Sequence, residues 1–323
     1  MTFELPLVTV GITTYNASNS VERAINSALA QTYRPIEITL VDDCSTDDTL
    51  DRVQDIDTNG VALRIFPSLA NCGVAVARNT IIENARGEFV VFFDDDDISH
   101  NERVIAQYQR IVEYERKFAN GAPVICHTVR RITYPSQKER TESTIGLSIN
   151  KSAPSGPVVA KRILLGSPLE DGYGSCPTCC QMARLETYLK LGGFDPSLRR
   201  GEDTDFNIRL ALAGGHFVGV DQPLVFQTMT KTSDKSLREE HLYWRRIMEK
   251  HRSFMEAEGQ FEFAVAWLDL KQSWLERKKT KFVLILLKLS VVHPILTFRR
   301  LWLAIPNFGS NNEFSRFHFS KTD

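Results

Sequence analysis

Two clusters of acidic residues in this 323-residue chain could do chemistry. The first, Asp94-Asp95-Asp96-Asp97, directly follows the apolar run Phe89-Val90-Val91-Phe92-Phe93. Such a run predicts a buried strand, so four carboxylates gather at its carboxyl end. Like charges this close raise one another's pKa. A fold tolerates them where a cation arrives, and a divalent metal carrying a phosphate meets that need. The carboxyl end of a strand is also where ligands bind in open α/β sheets. The second cluster is Glu202-Asp203, with Asp205 close behind. A carboxylate there could act as general base if it reached a substrate proton. Asp42-Asp43 adds an acidic pair after the apolar run Ile36 to Val41. Turn chemistry explains any one of these, because Asp favours caps and turns. Their recurrence along one expected edge of a sheet points to a site.

The elements that must position these acids are legible in the first hundred or so residues. Strands are predicted at Leu7 to Ile12, Ile36 to Val41, Val61 to Phe66 and Phe89 to Phe93. Helices are predicted after Asn19 (with Glu22 as a capping pair), after Ser45 and Asp48, over Val74 to Ala85, and after Ser99 and Glu102. Strand–helix alternation implies a doubly wound, mostly parallel sheet flanked by helices. From Pro123 the pattern loosens. Val124 to Thr133 reads as a strand and Tyr134 to Ser155 as a polar loop. Lys161 to Leu165 reads as a short helix. Gln181 to Leu191 reads as a strand and helix, and Val218 to Phe226 as a strand broken by Asp221-Gln222-Pro223. Beyond Ser236 the chain reads as helical. The expected domains are 1–235, with a nucleotide-binding half (1–120) and an acceptor-binding half (121–235), and a helical extension at 236–323.

Composition excludes several partners and classes. Thirty-nine Lys and Arg against 40 Asp and Glu give a net charge of −1, so nothing asks for nucleic acid. Six cysteines in a chain this long do not make a disulfide framework. Met1 to Pro6 lacks a basic segment followed by a long apolar core, so the expected location is a reducing cytoplasm. No G-x-G-x-x-G follows a strand, which argues against a dinucleotide oxidoreductase. The run Cys176-Pro177-Thr178-Cys179-Cys180 could begin a zinc site, but no second Cys/His pair follows at finger spacing. Small residues packing a strand at the acceptor side are the preferred reading. No catalysis is assigned to His100, His127 or His216.

Five motifs in order resemble family 2 glycosyltransferases, which have the GT-A fold. They are Val8-Thr9-Val10-Gly11-Ile12-Thr13-Thr14-Tyr15-Asn16, Val41-Asp42-Asp43-Cys44-Ser45, Asn71-Cys72-Gly73 through Asn79, Phe93 to Asp97, and Gly192-Gly193-Phe194-Asp195 with Gly201-Glu202-Asp203. The resemblance covers roughly residues 6 to 230 and implies an inverting enzyme that uses a nucleotide sugar. It implies that Thr13, Tyr15 and Asp43 hold base and ribose, with Asp43 accepting from a base N–H, as suits UDP or dTDP. Asp94 to Asp97 correspond to the DxD motif. Asp96 is the expected ligand of Mn²⁺ or Mg²⁺, with Asp94 or Asp95 as its support or as a ribose contact. Asp203 is the expected base and Glu202 positions the acceptor or Asp203, while Asp205 reads as a helix N-terminal acid. Arg78 either supports the nucleotide pocket or pairs with an Asp of the cluster.

The chain departs from the family where relatives place an Arg or His near the diphosphate. Here Phe226 to Lys231 holds no His, leaving Lys231 or Lys235 as the contact or as solvated loop lysines. The implied acceptor is a glycan, or a polyprenyl-linked glycan, in bacterial surface polysaccharide or O-antigen synthesis. Two competing readings are a sugar-nucleotide pyrophosphorylase and a non-catalytic nucleotide-sugar-binding homologue. The first needs a Gly-rich basic loop where Thr13 to Asn16 stand, and the second is disfavoured by the intact acids. The C-terminal helices, basic and apolar from Arg277 onward, either lie on an anionic membrane surface or cap the core.

Overall fold

The computed structural model describes residues 4–229 and 237–304. In chain order the elements are β1 (Val8–Thr14), α1 (Val21–Leu29), β2 (Ile36–Asp42), α2 (Thr49–Gln54), β3 (Ala62–Pro67), α3 (Val74–Asn84) and β4 (Phe89–Asp94). Then come β5 (Ile98–Ser99), α4 (Arg103–Tyr114), β6 (Val124–Thr133), β7 (Glu139–Glu142), α5 (Pro157–Leu165), β8 (Gln181–Arg184), α6 (Leu185–Lys190), α7 (Glu202–Leu212) and β9 (His216–Thr228). The remainder is helical: α8 (Leu237–Lys250), α9 (Arg252–Ala257), α10 (Phe261–Leu275), α11 (Lys279–Val292) and α12 (Pro294–Ala304). The chain divides into two compact units. One runs to Arg162 and resumes over Pro168–Met229; the other takes Ile163–Ser167 and the chain after Met229. The boundary expected between 235 and 236 falls within residues 230–236, which lie outside the described residues.

The first unit is a nine-stranded mixed sheet in the order β3-β2-β1-β4-β8-β6-β9-β5, with β7 pairing on β6. Strands β1 to β4 are parallel. Strands β1, β2 and β4 are buried along nearly their whole length, as parallel strands covered by helices require, while β3 at the edge is partly exposed. One close approach needs glycine: a Cβ on Gly11 would lie 2.6 Å from Ile81 Cγ2, so α3 packs directly on β1. The expectation of a mostly parallel sheet holds only for this half. Strand β8 runs antiparallel to both β4 and β6, and β7 and β5 pair antiparallel with β6 and β9. Only β6 and β9 restore a parallel pair.

Further differences are local. The stretch expected as a loop from Tyr134 contains β7. The expected break in the last strand is a bulge, because Val220 pairs with Thr128 and Pro223 with Val129, leaving Asp221 and Gln222 outside the ladder. The capping pairs expected from Asn19, Ser45 and Ser99 do not form: Ser20, Asp48 and Glu102 stand at the starts of α1, α2 and α4, without a side-chain cap bond. Asp47 takes that part at α2, accepting from the Thr49 N–H at 3.1 Å, while Ser45 binds Asp42.

In the second unit, Phe263 and Leu270 of α10 and Leu289 of α11 form a small core, against which Phe282, Ile285, Leu286 and Leu296 pack.

Candidate active site

The parallel register builds the site. Thr13 lies opposite Asp94, and Thr14 opposite Asp42, so the carboxyl ends of β1, β2 and β4 form one edge. The chain leaves β1 through Tyr15, whose N–H donates to Asp95 Oδ2 at 3.1 Å and whose ring is 48% exposed. Asn16 takes φ 49° and accepts from the Thr46 N–H at 2.8 Å, tying the loops after β1 and β2 together.

Asp43 is buried at that edge. Its two carboxylate oxygens accept from the N–H groups of Cys72 and Gly73, each at 2.8 Å. The loop before α3 is therefore wrapped around Asp43. Each oxygen keeps a second lone pair for a ligand. Arg199 donates to the Asn71 carbonyl at 3.2 Å, bringing the loop before α7 to the same edge.

Arg78 joins the two acidic clusters. It projects from α3, is 5% exposed, and donates from Nη1 to Glu202 Oε1 at 2.6 Å and from Nη2 to Asp94 Oδ1 at 3.3 Å. Its guanidinium lies 5.6 Å from the centre of the Phe194 ring. Burial works against the charge, but Glu202, Asp94 and Asp203 together raise the Arg78 pKa. Burial pushes the Glu202 carboxyl up to about 7, against the pull of Arg78. In this structure Arg78 spends its donors on carboxylates on both sides of the site.

Glu202 and Asp203 open α7, where the helix dipole favours negative charge. Asp203 is only half-buried, and its Oδ1 accepts from the Thr204 N–H at 2.6 Å. Asp205 is fully buried and accepts from Arg209 Nε at 2.8 Å, one helical turn on. That pair holds α7 together.

Each aspartate at the end of β4 has its own surroundings. Asp94 faces Arg78. Burial, then the charge of Asp96, pushes Asp95 up to about 7. The backbone carbonyl of Asp96 accepts from Arg23 at 3.1 Å. Asp97 is 4% exposed, and neither carboxylate oxygen has a hydrogen-bond partner. Burial first, and then Cys179 and Asp94, raises its carboxyl well above the usual range.

Asp94, Asp97 and Cys179 bring one ligand atom each to within 4.8 Å of one another. The two carboxylates, with the buried Asp97 oxygens left unpartnered, fit a divalent cation. This group omits Asp96, the expected ligand, and includes Asp97. Cys179 stands apart from the zinc idea: Cys176 and Cys180 do not join the group. The only sequence signal for Cys179 was its place in the cysteine run. Lys231 and Lys235, considered for the diphosphate, lie outside the described residues.

Residues 9–161 match the sequence profile of the family described as Glycosyl transferase family 2. That stretch, a little under half of the chain, is similar to a family 2 glycosyltransferase domain. The domain is 32% identical over 152 residues to the putative teichuronic acid biosynthesis glycosyltransferase TuaG of Bacillus subtilis, covering 44% of this chain and 60% of that protein. It is 40% identical over 95 residues to the UDP-Glc:alpha-D-GlcNAc-diphosphoundecaprenol beta-1,3-glucosyltransferase WfaP of Escherichia coli, covering 29% and 36%. The matches thus span about half the length of these relatives. Among solved structures, the mannosyltransferase PcManGT of Pyrobaculum calidifontis, in complex with GDP-Man and Mn²⁺, superposes with TM-score 0.57 at 16% identity, covering 98% of this chain and 85% of that one. That likeness establishes the GT-A fold of the glycosyltransferase domain.

Proposed function

We propose that the protein is an inverting, metal-dependent glycosyltransferase that moves a sugar from a nucleoside diphosphate, UDP or dTDP, to an acceptor hydroxyl. The observation that carries this reading is the Arg78 bridge between Asp94 and Glu202. It sets an acid of the donor edge and an acid of the acceptor side around one guanidinium, so a reacting bond can lie between them.

The chain's own groups perform the following work. Tyr15, Thr13 and Asp43 hold base and ribose at the carboxyl edge of β1 and β2. Asp203 takes the proton of the acceptor hydroxyl as its oxygen attacks the anomeric carbon. The bond from that carbon to the diphosphate oxygen breaks on the opposite face, so the configuration inverts. Glu202, held by Arg78, positions the acceptor. Asp96 and Asp94 would hold Mn²⁺ or Mg²⁺, with the orphaned oxygens of Asp97 extending the set inward. A bound divalent ion there stabilises charge on the departing diphosphate.

The relatives named above support a role in bacterial surface polysaccharide synthesis, with a glycan or polyprenyl-linked glycan as acceptor. No helix among the described residues is long and apolar enough to cross a membrane, and we infer a peripheral membrane contact through the C-terminal helices. The test is a screen of UDP-, dTDP- and GDP-sugars for Mn²⁺-dependent release of nucleoside diphosphate. Turnover confined to UDP- or dTDP-sugars is expected; no turnover of any nucleotide sugar contradicts the reading.

A further inference from the structure

We propose that the outward faces of α11 and α12 are a docking surface for an anionic lipid bilayer, with both helices lying flat in its interface. This deepens the peripheral reading above and rests on it.

Helix α11 is apolar around most of its circumference, interrupted by Lys279, Lys281 and Lys288, a composition close to that of a buried helix. Only half of that circumference is covered. Phe282, Ile285, Leu286 and Leu289 face the small core with α10. Val283, Leu284, Leu287 and Val291 face out at helical spacing, and Val291 is 81% exposed. Helix α12 repeats the arrangement. Leu296 turns inward, while Ile295, Phe298 and Trp302 form an outward stripe, with the Phe298 and Trp302 rings stacked 6.3 Å apart.

The charge around these stripes selects the occupant. Residues 277–304 carry seven Lys or Arg and no Asp or Glu. A second copy of the chain would set basic residues against basic residues. An apolar stripe with basic flanks and an interfacial tryptophan suits anionic headgroups over acyl chains. The 14 residues of α11 reach about 21 Å, short of the ~30 Å hydrocarbon core, so the helix lies in the surface. A lipid-linked acceptor would then meet the enzyme in two dimensions.

The test is cosedimentation of the full chain with phosphatidylcholine vesicles, with and without phosphatidylglycerol. Binding is expected only with phosphatidylglycerol and weakens in high salt. Lys279→Ala and Lys281→Ala each lower the affinity roughly five-fold. Leu284→Gln with Leu287→Gln, at exposed positions, abolishes binding without changing the circular dichroism melt. Failure of the wild type to sediment with anionic vesicles overturns the proposal. So does a dimer in sedimentation velocity that the two leucine substitutions dissolve. Transfer to a water-soluble acceptor is measured in parallel. Lost lipid binding with intact soluble transfer is expected of the leucine variant, and absent transfer with intact lipid binding counts against the transferase reading alone.

Discussion

Arg78 donates to Glu202 at 2.6 Å across 124 residues of sequence, and the contact is buried on both sides. It welds the start of α7 to α3 and leaves the adjacent Asp203 half-exposed at the mouth of the site. Removing one partner of a buried pair leaves the other charge uncompensated. Arg78→Ala is therefore expected to cost about 3–5 kcal/mol in urea denaturation. Arg78→Lys recovers little, because a point charge cannot serve two carboxylates as the guanidinium fork does. A loss below about 1 kcal/mol would show that the bridge contributes little.

The same pair makes stability depend on pH. The Glu202 carboxyl is raised to about 7 by burial, above its unfolded value of about 4.3. A raised carboxyl contributes stability below its unfolded pKa, and that contribution is lost as pH rises through about 7. The wild type should lose melting temperature between pH 5 and pH 8, and Glu202→Gln should lose less over that window. Parallel curves for the two proteins would remove Glu202 as the group responsible.

The two candidate sets of metal ligands are separable by calorimetry. Asp96→Ala should abolish Mn²⁺-dependent nucleotide binding. Asp97→Asn, which removes the charge and one of the two orphaned buried oxygens, should erase the thermal stabilisation that Mn²⁺ gives the wild type. Full Mn²⁺ stabilisation of Asp97→Asn would exclude Asp97 from the ion's surroundings.

The parallel half of the sheet was legible because its central strands are buried and largely apolar or β-branched, such as Phe89 to Phe93. The antiparallel half was not. Strand β8 has four residues, and its place between β4 and β6 depends on pairings such as Val90 with Ala183. Strand β5 has two residues and no pattern of its own. Acidic positions were readable as types at strand ends, but partners were not. Nothing local in α3 says that Arg78 meets Glu202, or in β4 that Asp97 lies beside Cys179. Asp205 read as a helix N-terminal acid from its place ahead of Phe206 and Ile208, and it stands in the first turn of α7.

The central claim is that Asp203 takes the acceptor proton in a sugar-transfer reaction. Asp203→Asn keeps the shape of the α7 start, so nucleotide affinity in calorimetry should match the wild type. Transfer should fall by roughly 10²–10⁴-fold, the usual worth of a general base. Single-turnover transfer by Asp203→Asn with the best nucleotide sugar is the direct measurement. Loss of transfer with unchanged binding is the predicted result, and wild-type turnover would contradict the account.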